Sequence, residues 1–532
     1  MKELFIVSLI PFVLYLFGKS RKGLHMLQLN WYDDDHRFLK WIVKNPYKVW
    51  INPDMFFVIF ALFLVVDVNI AFCLFAIFYI IVGVLFIRSE KTEQKKVKFN
   101  FTKRVRRLSV TTLLLYLIPI TIMCLFYSVS LVPYYYLILG MFAYFNYFFV
   151  MVANIVNIPV EKQVFYHYKH MAQRKLRGMK NLSVVGITGS FGKTSSKNIL
   201  NDILSVKFNS FPTPKNFNTT YGLILSINNY LDKFNDVFIA EMGAFRQGEI
   251  KILCNLVKPK YGILTKIGEA HLESFGSLEN TTKTKFELIE SLPSDGCGVL
   301  NYDDERQRNY KLKNKCHIIT IGIDSDDVDF RASNIKLSEK GSTFDVVLKG
   351  DKKKYTFETK LLGKHNIYNI LASIALGHYL GISMEQLVVA VKGVNSIEHR
   401  LELKRMGHIN IIDDAYNSNP SGCKSALEVL KLMPGKRIIV TPGMIELGDK
   451  QYELNQEFGR QIADSADEVI LVGKEQTKPI YEGLQLMDYP KKKIHIINDV
   501  VDAYQLIYDL KGKEEVFALF ENDLPDTFNE KK

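Results

Sequence analysis

Between Ser109 and Val160 the chain contains no aspartate, glutamate, lysine or arginine. A water-soluble domain does not tolerate so long an uncharged run, because its helices and strands must turn a polar face to solvent. A chain with this feature is built to place helices in a bilayer. Two spans fit the run, residues 109–129 and 131–156, each near the roughly 20 apolar residues that cross a hydrocarbon core of about 30 Å. Pro133 and Tyr134-Tyr135-Tyr136 mark the interface between them. Residues 55–87 are also apolar, but one helix of that length would measure about 50 Å. Asp67 and Asn69 lie near its middle, where a charge is costly away from a turn or a partner. This pattern predicts two short spans, about 49–66 and 69–87. Residues 4–17 are either a signal peptide or a first anchor. The following Gly18-Lys19-Ser20-Arg21-Lys22 has no small-residue cleavage site, which favours the anchor. The expectation is therefore a helical membrane region over residues 1–156 with about five spans, or four, and the N-terminus outside.

Residues 18–48, 88–108 and 161–180 carry net charges of +4, +7 and +5, more than the +12 of the whole chain. The basic excess thus lies entirely beside apolar segments, as the positive-inside rule requires. The remainder is slightly acidic, which argues against nucleic acid as a partner. All three basic segments share the cytoplasmic side, and so does everything from about residue 157, with 157–182 a basic juxtamembrane linker. Six cysteines are scattered without a C-x-x-C pair, as in a reduced, cytosol-facing chain rather than a disulfide or zinc scaffold.

Beyond the linker, Ser183-Val184-Val185-Gly186-Ile187 reads as a short strand. It runs into Thr188-Gly189-Ser190-Phe191-Gly192-Lys193-Thr194-Ser195, and then into a helical stretch over 196–204. Strand, glycine-rich turn, Lys-Thr and helix is the arrangement that cradles polyphosphate: backbone N–H groups and the helix N-terminus face the anion, and the lysine adds a full charge. Gly189, Ser190, Gly192, Lys193, Thr194 and Ser195 are the candidate nucleotide contacts, and Thr194 offers its hydroxyl to Mg²⁺. The spacing departs from G-x-x-x-x-G-K-[ST], because residue 187 is isoleucine with Gly186 and Gly189 on either side.

The loop resembles that of the Mur ligase family, ATP-dependent amide-forming enzymes of peptidoglycan precursor synthesis. Seven further blocks follow in the family's order, at 216–222, 241–250, 267–277, 283–287, 362–369, 413–420 and 444–448. Among the members the chain is most similar to the branch that adds D-alanyl-D-alanine. The resemblance implies a central phosphate-loop ATPase domain (183–395) and a C-terminal Rossmann-like α/β domain (396–532), with residues 381–396 at their boundary. Strands expected at 437–440, 468–472 and 493–497 alternate with helices at 424–432, 452–464 and 499–510, which reads as a parallel sheet.

It also implies roles. Lys193, Lys285 and His271 are the catalytic candidates. Thr194 and Glu241 would hold one Mg²⁺, while His271 and Lys285, once carbamoylated, would hold a second. Asn366 and Asn369, ahead of an apolar helix at 370–380, would reach the adenine of ATP. Arg400 would reach its phosphates and Asp414 its ribose, so that ATP lies between two domains that close. Asn216, Asn218, Tyr416, Asn417 and Asn419 would line the substrate side. A carboxylate would be activated as an acyl phosphate and joined to an amine, with release of ADP and phosphate.

Two departures bear on the substrate. The family's leading soluble domain, which binds the UDP end of the precursor, has no counterpart before residue 157. Near the C-terminus, where relatives have a Lys-Gly-Ser segment, this chain has Phe520-Glu521-Asn522-Asp523-Leu524-Pro525-Asp526. The expectation is a multi-pass protein of a bacterial-type cell membrane that carries cytoplasmic ligase domains. Its partners would be the bilayer, a UDP-linked or lipid-linked envelope precursor, an amino acid or dipeptide, and other membrane proteins of wall synthesis. An ATP-driven transporter and an inactive membrane scaffold are the alternatives from other classes.

Overall fold

The computed structural model describes residues 1–92, 98–268, 272–416, 418–445, 447–512 and 514–523. The chain divides into two compact units, Met1–His167 and Tyr168–Lys532.

The first unit is helical. Among the described residues four helices are long and apolar enough to cross a membrane: Lys2–Leu29, Val68–Lys91, Lys103–Leu125 and Asn146–Gly178. Shorter apolar helices cover Pro53–Leu64 and Val132–Tyr144. Four details differ from the sequence reading. Residues 53–64 form a 3₁₀ helix, whose rise of about 2.0 Å per residue stretches a short segment over about 24 Å. The stretch 131–156 is not one helix but breaks at Phe145. At the break the Ala143 carbonyl accepts from Lys19 Nζ at 2.9 Å. Lys19 itself, placed by its neighbours in a basic flank, is buried inside the Lys2–Leu29 helix and paired with buried Asp54. Tyr15 donates to the same carboxylate at 2.5 Å. The outward positions of these helices are apolar as well; Phe17 is 72% exposed. The expected linker 157–182 is largely a continuation of the Asn146–Gly178 helix.

The second unit contains two sheets. The first has β1 (Ser183–Thr188), β2 (Ser210–Pro212), β3 (Val237–Glu241), β4 (Tyr261–Leu264), β5 (Cys297–Asn301), β6 (His317–Gly322), β7 (Phe330–Ser338), β8 (Gly341–Leu348) and β9 (Lys354–Thr359) in the order 2-3-1-4-5-6-7-8-9. Strands 1 to 7 run parallel, and β1, β3, β4 and β5 are buried on both faces, so they read as continuous apolar runs. The β7-β8-β9 meander is antiparallel and half exposed, and the sequence reading did not contain it. The helices Lys193–Leu204, Lys364–Tyr379 and Met384–Lys392 cover the sheet and share its core through Ile203, Leu371 and Leu387. The boundary stretch 381–396 therefore contains a packed helix, started by a Ser383/Gln386 capping box.

The second sheet has β10 (Glu402–Met406), β11 (Ile409–Asp414), β12 (Lys436–Thr441), β13 (Glu468–Val472), β14 (Ile494–Ile497) and β15 (Val516–Glu521) in the order 10-11-15-12-13-14. Apart from the antiparallel edge strand β10 it is parallel. The last strand of the chain, β15, lies at its centre, a position that alternating strands and helices could not reveal. In both sheets the strand order reverses about one strand, and ligands of open α/β sheets gather at the carboxyl ends beside such a reversal. Here those ends are the close of β1 and β3, and of β11 and β15.

Candidate active site

The turn after β1 is shaped by two glycines. Gly189 (φ +155°) lies so close to Thr265 that a Cβ would collide with it, and Gly192 (φ +79°) would bring one within 3.0 Å of Asn369 Oδ1. The loop is tied down from below: Lys266 O accepts from Ser190 N (2.9 Å) and Phe191 N (3.3 Å), and Ser190 Oγ donates to Gly268 O (3.0 Å). The helix Lys193–Leu204 then starts at Gly192 with no capping side chain. Its first-turn N–H groups, including those of Lys193, Thr194 and Ser195, have no intrahelical acceptor and are open to an anion. Lys193 Nζ folds back onto Gly189 O (2.8 Å) and Ser190 O (3.1 Å). Burial pulls its ammonium down to about 8; Glu241 opposes that shift and Arg400 adds to it.

Glu241, at the end of β3, is the hub. Its Oε1 accepts from Thr194 Oγ1 (3.2 Å) and Asn218 Nδ2 (3.0 Å). Its Oε2 faces Lys197 Nζ at 3.0 Å as an ion pair without hydrogen-bond geometry. Lys197 also donates to Lys215 O at 2.5 Å. Among the described residues no cluster of three or more His, Cys, Asp or Glu is set to hold a metal. A magnesium ion does not need one, since it takes one or two carboxylates and fills its shell with phosphate and water oxygens. A buried Glu241 beside the Thr194 hydroxyl at the mouth of a phosphate loop fits that demand.

Lys285 lies on the helix Leu278–Ile289, buried, with its ammonium 5.3 Å from the centre of the Phe275 ring. Burial first, and Lys193 second, lower it to about 7, against Glu249 and Glu287. Both carboxylates are held by backbone donors: Glu249 by Phe245 and Arg246, Glu287 by Gly248 and Lys251.

Asn366 and Asn369 do not precede a helix but sit inside Lys364–Tyr379, buried. Asn369 Oδ1 accepts from Ser196 Oγ (2.9 Å), Asn369 Nδ2 donates to Asn366 Oδ1 (3.2 Å), and Asn366 Nδ2 donates to Leu362 O (2.9 Å). The pair clamps the loop helix against its neighbour. His365 beside them is held neutral, near 4, by burial and by Lys266 and Arg400. Arg400 stacks on the Tyr416 ring at 4.2 Å. Asp414 Oδ1 accepts from Leu401 N at 3.3 Å, and burial raises this carboxyl to about 6 against the pull of Arg400. Asn419 caps the helix Pro420–Lys431 through Gly422 N (2.9 Å), so its carbonyl oxygen is already committed. Asn216 is exposed. His271 and Asn417 lie outside the described residues.

Sequence reasoning missed Lys197. It stands one helical turn beyond Lys193 and Thr194, on a face that also carries Leu200 and Leu204; a lysine in such a stripe is the available signal.

Residues 187–377 match the Mur ligase middle domain and residues 399–519 the Mur ligase glutamate ligase domain. The UDP-N-acetylmuramoyl-tripeptide--D-alanyl-D-alanine ligase of Bacillus subtilis is 34% identical over 295 residues, 55% of this chain and 63% of that protein. The enzyme of the same name from Escherichia coli is 30% identical, over 55% of this chain and 65% of that one. The chain thus spans somewhat under two thirds of the length of these curated relatives. The crystal structure of MurF ligase from Thermotoga maritima in complex with ADP superposes with a TM-score of 0.60 at 27% identity, covering 68% of this chain and 80% of that one.

Proposed function

Because the chain belongs, between residues 187 and 519, to the Mur ligase family, we propose that it is a membrane-anchored, ATP-dependent ligase. It joins a carboxylate of a cell-envelope precursor to the amine of an amino acid or dipeptide. The observation that carries this reading is the Glu241 hub, where one buried carboxylate meets Thr194, Asn218 and Lys197 at the mouth of a phosphate loop.

Bound ATP supplies the phosphoryl group that activates the carboxylate, and Mg²⁺ screens the charge that builds on its oxygens. The chain's own residues do the rest. The first-turn N–H groups and Lys193 would hold the phosphates; Thr194 and Glu241 would hold one metal ion, and Lys285 with His271, which lies outside the described residues, would hold a second. Asn366 and Asn369 keep the loop helix in register and border the adenine. Arg400 and Asp414 would grip the phosphates and ribose from the C-terminal domain, and Asn216, Asn218, Tyr416 and Asn419, with Asn417 outside the described residues, would serve the substrate side. With its pKa lowered to about 7, much of Lys285 is the neutral amine that can add carbon dioxide and become an anionic carbamate.

Residues 1–178 lie outside both matched domains and contain the four long apolar helices. They anchor the protein in a bacterial-type cell membrane, with the basic segments and the ligase domains in the cytoplasm. An anchor where the family's UDP-binding domain would stand favours an acceptor held at the bilayer surface. The second reading is a ligase that adds D-alanyl-D-alanine to a UDP-linked tripeptide and uses the helices only as a tether; the names of its relatives favour it.

The test uses the full chain in detergent with ATP and Mg²⁺, each acceptor, and D-alanyl-D-alanine or single amino acids, following phosphate and product mass. Product with the lipid-linked acceptor alone supports the first reading, and product with the UDP-linked one the second. Phosphate release indifferent to acceptor and amine rejects both. Release of the protein from membranes by alkaline carbonate rejects the anchor.

A further inference from the structure

Asp414 and Glu521 are register partners on the parallel strands β11 and β15, so their side chains leave the sheet on the same face. Glu521 is 1% exposed. Its Oε1 accepts from Ser418 Oγ at 2.8 Å and from Cys423 Sγ at 3.3 Å. Its Oε2 receives no N–H or O–H from any described residue, and the carboxyl lies within hydrogen-bonding reach of Asp414.

The surrounding charges do not suit two anions. Arg400 is the cation that faces Asp414. Asp413, next along β11, is already matched by Lys404 (2.6 Å) and His399 (2.8 Å). From the helix Pro420–Lys431 comes Cys423, whose thiol burial and Glu521 hold protonated. Two ionised carboxylates sharing one arginine in a buried site are costly, whereas one proton between them removes a charge and makes a strong O–H···O⁻ hydrogen bond.

We propose that Asp414 and Glu521 hold a single proton between them, with Glu521 the acid and Asp414 the carboxylate, and that Glu521 is a positioning residue that aims Asp414 into the nucleotide cleft. The role rests on the reading of Asp414 as the partner of the nucleotide sugar. Burial and Asp414 push Glu521 well above the ordinary carboxyl range, while Asp414 stands near 6. Below that pH the pair takes up a second proton, Asp414 ceases to accept, and affinity for ADP falls by about tenfold per pH unit.

The experiment has two arms, both on the full chain in detergent. Infrared difference spectra of wild type and Glu521→Gln at pH 7.5 read the dyad without nucleotide; a protonated carboxylic-acid band that E521Q removes is expected, and its absence overturns the shared proton. Titration with a fluorescent ADP analogue from pH 5 to 8 reads the positioning. The wild-type acid limb should have its midpoint near 6. Glu521→Met, which offers no donor, should raise that midpoint by roughly one pH unit, and E521Q, whose amide N–H replaces the acid O–H, should restore it. An E521M limb that coincides with wild type overturns the positioning role. No ADP binding at any pH overturns the reading of the cleft and the role with it, whatever the infrared band shows.

Discussion

Lys197→Met removes two interactions at the centre of the site, the ion pair with Glu241 and the hydrogen bond to Lys215 O. The side chains of Lys197 and Glu241 are 2% and 1% exposed and 3.0 Å apart. Methionine replaces most of the lysine volume and adapts to irregular space, so little cavity is left. What is lost is the counter-charge of a carboxylate that stays buried, together with the donor to Lys215 O. Removing one member of such a pair costs about 3–5 kcal/mol. Thr194 and Asn218 still donate to Oε1, which places the cost near the lower end, about 3 kcal/mol. At roughly 2–4 °C per kcal/mol for a domain of this size, Tm should fall by about 6–12 °C. The assay is thermal unfolding by circular dichroism, with Lys353→Met as control. Lys353 and Glu385 are as close, 2.8 Å, but 56% and 65% exposed, so water screens the pair and no measurable shift is expected. Millimolar Mg²⁺ gives a second arm: a cation that takes over as the partner of Glu241 should recover part of the loss and raise Tm more in K197M than in wild type. A K197M protein melting within about 2 °C of wild type would refute the buried-charge reasoning. An equal Mg²⁺ effect in both would refute Glu241 as the metal carboxylate.

Further outcomes follow from the same geometry. Lys193→Met removes the charge of the loop while breaking only two bonds to loop carbonyls; acceptor-dependent phosphate release should drop by about 10²–10³-fold. Lys285 is lowered from its usual 10.5 to about 7, so the unfolded chain binds the extra proton between those values and wild-type stability should rise with pH across that window. Lys285→Met should reduce that slope in pH-dependent denaturation to the part that Lys193, lowered to about 8, contributes, melt higher than wild type at pH 7, and form no amide product. Asp303 accepts from the N–H groups of Ile323, Asp324 and Ser325 and from Tyr368 Oη; these bonds outweigh burial and hold it at about 2. Its contribution, about 1–2 kcal/mol after screening, is present above pH 4 and lost as pH falls toward 2; Asp303→Asn should flatten that acid limb in urea titrations. Gly192→Ala forces an alanine to φ +79° and against Asn369, at a cost of about 1–2 kcal/mol; ADP affinity in calorimetry should fall by at least tenfold.

The strand, turn and helix of the phosphate loop were legible because each is decided within a few residues. The apolar run of β1 needs no distant partner to be recognised. Gly189 and Gly192 permit backbone angles that other residues resist, and Lys193 stands at the helix start. The C-terminal strands at 437–440 and 468–472 were legible for the same reason, falling within one or two residues of β12 and β13. Where the reading slipped, a distant contact had overridden a local pattern. Asn366 and Asn369 looked like residues ahead of a helix, yet the helix begins at Lys364, because Ser196 and Gly192, far away in sequence, complete their environment. The break at Phe145 is invisible in a uniformly apolar run, and Lys19 looked like part of a cytoplasmic flank until Asp54 and the Ala143 carbonyl enclosed it.

The sequence by itself determined that the chain joins an apolar helical part to an α/β part with a phosphate loop. Charge distribution, hydrophobic period and glycine placement are properties of contiguous residues and survive without coordinates. Only the tertiary structure decided which polar groups are buried together: Lys197 with Glu241, and Asp414 with Glu521 across two strands more than a hundred residues apart in sequence. The physical reason is that a side chain's charge state and its partner are set by the dielectric and the neighbours it meets on folding, and those neighbours are not written beside it in the chain.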